Sequence, residues 1–411
     1  MVSGWLKKEN DKMKNRIIAL VMMVFLLQLG GCNEDTYSIN NNNDKTIVPS
    51  NDESNLNEKL IIYNKKQVIG EIYHFGNIMQ IDDGIVYSKW SDRDGSNTVM
   101  EYYCYNYNDN KSVQLGKINE WSLQTQETAY INNHIYFFVS TGDITSYDNR
   151  ELKLMDIDLE HCVMSEVFSE TGGFPYSTID QINNRVLMAK VNKDGSSIEE
   201  YNTKTGQIKK LKWVKYDDEN NVGEAIRNLS VDEENNTISL LVLKNDVNES
   251  PTLSIEMYDY NFNLLKKHSI TSIFPDENEI IQGVLFFDCT DSYFYYENFS
   301  VTRYLGLFKD DSIEKIDAID ETFEMSHETI KDNYKLFYQL GDNRKSLYLF
   351  NIKKSQGSKL TLKTEDERYY IINMSKMKDH LAILLDYKDP DSGDKLDTVL
   401  YNINLSDLGF E

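Results

Sequence analysis

A polar turn followed by an apolar strand recurs along this chain at intervals near fifty residues, and this recurrence restricts the fold more than any other feature. It appears at Asp82–Ser88 (DDGIVYS), Asn132–Phe138 (NNHIYFF), Asn183–Ala189 (NNRVLMA) and Asn235–Leu241 (NNTISLL). It continues at Asp291–Tyr296 (DSYFYY), Asn333–Tyr338 (NYKLFY) and Lys378–Leu384 (KDHLAIL). Aligning Ile85, Ile135, Val186, Ile238, Tyr293, Leu336 and Ala382 gives spacings of 50, 51, 52, 55, 43 and 46 residues. A fixed period of this length marks a repeat architecture, in which each unit buries its apolar faces against its neighbours.

Three further strands accompany each marker. An alternating strand ending in Asp or Asn follows it, as in Glu151–Asp158, Leu253–Tyr260, Ser346–Ile352 and Thr398–Ile403. A shorter outer strand comes next, as in Ser112–Ile118, Ile208–Trp213 and Leu264–Ile270, and a weaker inner strand precedes the marker, as in Gly283–Phe287. With 27 Tyr and 17 Phe against 5 Pro, the composition suits half-buried pleated surfaces. No sustained helical period competes with them. Four strands per fifty residues predicts an all-β chain, a single β-propeller of about seven four-stranded blades over 59–411. The seventh unit ends without its outer strand, whereas the strand-like segment 59–72 (KLIIYNKKQVIGEI) has no unit of its own. Pairing this segment into the last blade would close the ring and remove an open sheet edge; an independent capping hairpin is the alternative. The repeat texture resembles the TolB-type and related propellers of Gram-positive surface lipoproteins.

The N-terminal region reads differently. Five basic residues (Lys7, Lys8, Lys12, Lys14, Arg16) precede a 13-residue apolar run, Ile17–Leu29. That run is too short for a transmembrane span and has the form of an export signal. Leu29-Gly30-Gly31-Cys32 resembles the lipobox of bacterial lipoproteins. The resemblance implies cleavage after Gly31 and a diacylglycerol on Cys32. An ordinary secretory signal with a chance Cys is the competing reading. Met13 has the more usual signal start, which leaves Met1 as an over-extended gene start. Residues 1–31 are therefore expected to be a signal peptide. Residues 32–58, polar and Asn-rich, are expected to be the lipidated Cys and a disordered tether. The expected location is the extracytoplasmic face of a cell membrane in a Gram-positive bacterium.

The net charge is −24, and residues 1–32 are themselves basic, so the exported part is more acidic still. Such a surface is expected to repel nucleic acid and anionic headgroups. Beyond Cys32 the cysteines are Cys104, Cys162 and Cys289, with no CxxC pair, so neither a disulfide framework nor a zinc site is written here. Cys104 and Cys289 read as buried thiols, with a Cys104–Cys162 pairing left open.

The catalytic patterns are sparse. There is no Gly-x-Ser-x-Gly elbow. His327-Glu328 begins an HExxH motif that lacks its second His and reads as a turn beside a strand. Ser91–Asn97 contains Asp92, Asp94 and Ser96 as calcium candidates, although Gly95 and Tyr103 fall out of register with an EF-hand loop. Similar residues at Lys193–Ser196 and Asp389–Asp394 favour a hairpin turn there, and no cofactor is expected unless it is calcium. Trp90, Trp121, Trp213 and Tyr293–Tyr296 could stack on a sugar or peptide, or fill the spaces between blades. Two functional classes remain. One is a non-catalytic module binding a protein, peptide or glycan through propeller-face loops. The other is a glycan- or ester-cleaving enzyme with paired carboxylates near the channel, for which the sequence selects no pair.

Overall fold

The computed structural model describes residues 57–405, except for connecting stretches such as 62–64, 69–74, 91–98, 143–149, 218–221, 317–322, 340–345 and 389–394. Among the described residues there are 29 β-strands and one 3-10 turn, Thr271–Ile273, and Ile280 and Ile281 are helical. Two short strands come first, β1 (Asn57–Ile61) and β2 (Lys65–Val68). The rest form antiparallel sheets in chain order. The first is β3 (Phe75–Ile81), β4 (Gly84–Trp90), β5 (Met100–Asn106) and β6 (Lys111–Ile118). The second is β7 (Ser122–Ile131), β8 (His134–Gly142), β9 (Arg150–Asp158) and β10 (Val163–Thr171). The third is β11 (Thr178–Ile182), β12 (Arg185–Asn192), β13 (Gly195–Asn202) and β14 (Gln207–Asp217). The fourth is β15 (Val222–Asp232), β16 (Thr237–Asp246), β17 (Glu249–Asp259) and β18 (Leu264–Ser269). Tyr216 and Asp217 pair with Gly223 and Val222, joining these last two into one eight-stranded sheet. The fifth is β19 (Val284–Cys289), β20 (Tyr293–Asn298), β21 (Arg303–Lys309) and β22 (Ser312–Ile316). The sixth is β23 (Phe323–Lys331), β24 (Tyr334–Gln339), β25 (Ser346–Asn351) and β26 (Gln356–Lys363). The seventh is β27 (Tyr369–Met377), β28 (His380–Lys388) and β29 (Lys395–Asn404).

The segment expected to complete the last sheet is divided between two. β2 pairs antiparallel with β29 as that sheet's fourth strand, while β1 lies parallel to β26 as a fifth strand on the sixth sheet. β1 begins at Asn57, two residues ahead of the expected boundary. The turn reading at 193–196 agrees with the structure: Asn192 pairs across to Gly195, and the Asp194 N–H donates to Asn192 Oδ1 at 3.0 Å. Gly195 has φ +157°, and a Cβ there would run into the Val214 carbonyl. His327 and Glu328 lie inside strand β23, not in a turn.

First strands of successive sheets lie against each other: β3 with β7, β7 with β11, β11 with β15, β15 with β19, β23 with β27, and β27 with β3. Most carry a β-bulge at a similar level, at Phe75/Ile78, Gln124/Thr128, Ile226/Asn228, Val284/Phe286, Met325/Thr329 and Ile371/Asn373. A bulge increases local twist, which strands crowded side by side require.

The core is layered between sheets. Ile85 and Tyr105 of the first sheet pack with Ala382, Leu384 and Leu400 of the seventh. Val86 and Tyr102 meet Ile135 and Phe137 of the second, and Tyr136 and Phe138 meet Val186 and Met188 of the third. Leu187 and Ile198 meet Ile238 and Leu240 of the fourth, and Leu241 and Leu243 meet Phe294 and Tyr296 of the fifth. Leu336 and Leu347 of the sixth meet Leu381 and Ile383 of the seventh.

These contacts correct the repeat alignment. Ile85, Ile135, Val186 and Ile238 all face the preceding sheet, and their equivalents are Phe294, Lys335 and Leu381, each one residue from Tyr293, Leu336 and Ala382. Side chains alternate along a strand, so a slip of one residue swaps the faces. Runs such as Tyr293–Tyr296, aromatic on both faces, hide that slip.

Candidate functional site

Two zones bring polar side chains together: the first strands of the sheets and the outer strands of the third and fourth sheets. In the first zone, the Asp180 carboxylate on β11 accepts the N–H of Gln181 and, across to β15, that of Val231, both at 2.7 Å. One sheet further on, Ser230 Oγ accepts the Cys289 N–H on β19 at 3.0 Å. Asp180 and Ser230 occupy equivalent registers, each preceding the residue paired with the marker position. In the opposite sense, the Tyr130 N–H on β7 donates to Gln181 Oε1 at 2.7 Å. The Val231, Cys289 and Tyr130 N–H groups each donate to a side chain of a neighbouring sheet, which meets the need that every buried backbone donor has for a partner.

Asp288, at the same register on β19, joins three sheets. It accepts from Ser230 Oγ at 3.2 Å and from the Tyr293 hydroxyl at 3.4 Å, and it forms an ion pair with Lys335 on β24. Lys335 is 1% exposed and lies over the rings of Tyr293 and Tyr295 at 5.6 and 5.5 Å. This polar core stands where the other junctions have an aliphatic or aromatic side chain.

Burial pushes the Asp180 carboxyl up to about 7, outweighing its two backbone donors. Burial likewise raises Glu127 to about 7. Glu127 sits in the bulged part of β7 between Gln124 and Thr128. Cys289 is buried, and its thiol is pushed far above its usual range. Carboxyls poised near neutrality suit proton transfer.

The second zone is charged differently. Glu256 on β17 accepts from Lys212 on β14 at 2.7 Å, from Lys267 on β18 at 2.8 Å and from the Tyr258 hydroxyl at 2.6 Å. Burial would raise it, yet these donors hold it down to about 2. A similar cluster lies one junction earlier, where Lys190 bridges Glu170 of the second sheet and Glu199 of the third at 2.5 and 2.7 Å.

Of the residues singled out in the sequence, Gly31, Cys32, Asp92, Asp94, Ser96, Asp389–Asp394 and Trp121 lie outside the described residues, as does the Trp90 side chain. Tyr293–Tyr296 are core residues, at most 1% exposed. Trp213 is 49% exposed on β14. Cys104, Cys162 and Cys289 are free thiols, so the pairing left open between Cys104 and Cys162 is not made; Cys104 is half-buried and Cys162 exposed. Among the described residues no three His, Cys, Asp or Glu side chains are grouped to hold a metal. Asp180, Asp288 and Glu127 were not selected from the sequence. Their signal is positional: Asp180 and Asp288 each precede by six residues the side chain that faces the preceding sheet, Val186 and Phe294.

No family model matches the chain, and no curated protein is significantly similar to it. Among solved structures, the β-propeller domain of the trilobed protease from Pyrococcus furiosus is similar at 10% identity with a TM-score of 0.49, over 80% of this chain and 94% of that one. A prolyl endopeptidase is similar at 10% identity and TM-score 0.47, over 78% of this chain but 48% of its own length. The protein lmo1340 from Listeria monocytogenes EGD-e is similar at 13% identity and TM-score 0.37, over 83% and 96%.

Proposed function

We propose that this chain is an exported lipoprotein, cleaved after Gly31 and lipidated on Cys32, whose body is one ring of seven blades closed by β2 on β29. In this reading it acts on the outer face of the membrane as a binding or scaffold module for a protein, peptide or glycan. The observation that supports the module reading is the use made of the polar groups on the first strands. Asp180, Gln181, Ser230 and Asp288 all bond to a neighbouring sheet, the task of a rigid frame that leaves recognition to loops. Incorporation of a clickable fatty acid into the wild-type chain and not into Cys32→Ser tests the anchor. A rise in the unfolding midpoint with one class among glycans, short peptides and calcium tests binding, because a ligand of the native state stabilises it by mass action.

One observation favours a second reading, a glycan- or ester-cleaving enzyme: Asp180 and Glu127 have carboxyls near 7 on adjacent first strands. Turnover of a chromogenic glycoside or ester that disappears in both Asp180→Asn and Glu127→Gln, with the fold intact, would establish it.

A further inference from the structure

The outer strands of the third and fourth sheets reverse the sign of a chain whose net charge is −24. β14 reads QIKKLKWVKYD and β18 reads LLKKHS. Their Lys212 and Lys267 converge on Glu256, which makes the two strands neighbours on one stretch of surface. Along the same two strands Lys209, Lys215 and Lys266 are also exposed. On these strands Trp213, Leu264 and Leu265 are 49%, 55% and 54% exposed. Four of the seven large apolar side chains that are exposed among the described residues lie on these two strands.

Lysines on an outer strand do block edge-to-edge pairing. That role alone leaves the half-exposed Trp and Leu unexplained, and β10, also an outer strand, has no lysine at all. Trp, Leu and Lys together are the composition of a surface lying at a bilayer interface, with apolar bodies in the headgroup boundary and ammonium groups among phosphates. An outer edge offers no concavity for a small ligand but meets a broad surface readily. We propose that this edge lies against an anionic lipid surface. The proposal rests on the lipoprotein reading, since a patch this small binds weakly in solution and needs a tether to raise its effective concentration. The 24 residues between Cys32 and β1 reach at most about 80 Å, enough to bring the edge to the membrane.

The test uses the full-length protein reconstituted in vesicles of phosphatidylcholine alone or with one third phosphatidylglycerol, labelled with a membrane-impermeant amine reagent. Labelling of Lys209, Lys215 and Lys266 should fall several-fold on the anionic vesicles and recover at high salt, while Lys117 on β6 stays unchanged. In a Trp90→Phe, Trp121→Phe background, which leaves Trp213 as the fluorophore of the exported part, emission should shift to the blue on the anionic vesicles, and adding Lys209→Glu, Lys215→Glu and Lys266→Glu should leave it the same on both. Equal labelling on the two vesicles overturns the proposal. So does protection that rises with protein concentration in the absence of vesicles, which would make a second copy the occupant. Retention on phosphatidylcholine vesicles that is the same for wild type and Cys32→Ser would defeat the anchor reading alone; the edge would still be read from salt-sensitive retention on anionic vesicles.

Discussion

Lys335 shows how one side chain can replace a core residue. It occupies the register that Ile85, Ile135, Val186, Ile238, Phe294 and Leu381 fill elsewhere, and it is tolerated because Asp288 and two tyrosine rings enclose it. Lys335→Ala should cost about 3 kcal/mol in urea unfolding, because it leaves Asp288 without its cation. The double change Lys335→Leu, Asp288→Leu should recover most of that loss, since an apolar pair of similar volume avoids the desolvation of both ions. Glu256 gives a pH signature of its own. Its folded pKa near 2 lies below the value in an unfolded chain, so its contribution is complete above about pH 4.3 and is lost as the pH falls towards 2. Glu256→Gln should flatten the decline of the unfolding midpoint over that acid range and lower stability at pH 7 by about 2 kcal/mol.

At the scale of elements, the first strands are held by side-chain bonds to their neighbours, and the one made by Asp180 titrates in the other direction. Asp180 has a raised pKa, so its share of stability is fully present below about pH 4 and is lost as the pH rises through about 7. Thermal melts at pH 5 and pH 8 should differ less for Asp180→Asn than for the wild type. The strands themselves were legible in the sequence, because turn residues and aromatic runs recur with a fixed period. The hairpin at 193–196 was legible for the same reason, Asn192 and Gly195 each having a defined turn geometry. The facing of Tyr293–Tyr296 was not, since a run that is apolar on both faces contains no alternation to read. The Asp180 and Asp288 bonds were not legible either: they join residues 51 and 47 positions apart in the chain, and single Asp residues before a turn look like turn residues.

Across the whole molecule, the two ends of the described chain meet. The first sheet packs on the seventh through Ile85 and Leu384, and β2 completes the seventh sheet beside β29. Lys66→Pro should remove the pairing with Leu400 and expose the β29 edge; size-exclusion chromatography and thermal unfolding would then show a lowered midpoint and aggregation. The arrangement of β1 has a mechanical consequence. A pull applied at Asn57 loads β1, which runs parallel to β26 through five successive residue pairs from Asn57 to Ile61. Tension along that axis loads the five pairs together in shear, where a perpendicular pull would peel them one at a time. Beyond β1 the next grip is β2 on a different sheet, so force is handed from the sixth sheet to the seventh before it reaches the rest of the body.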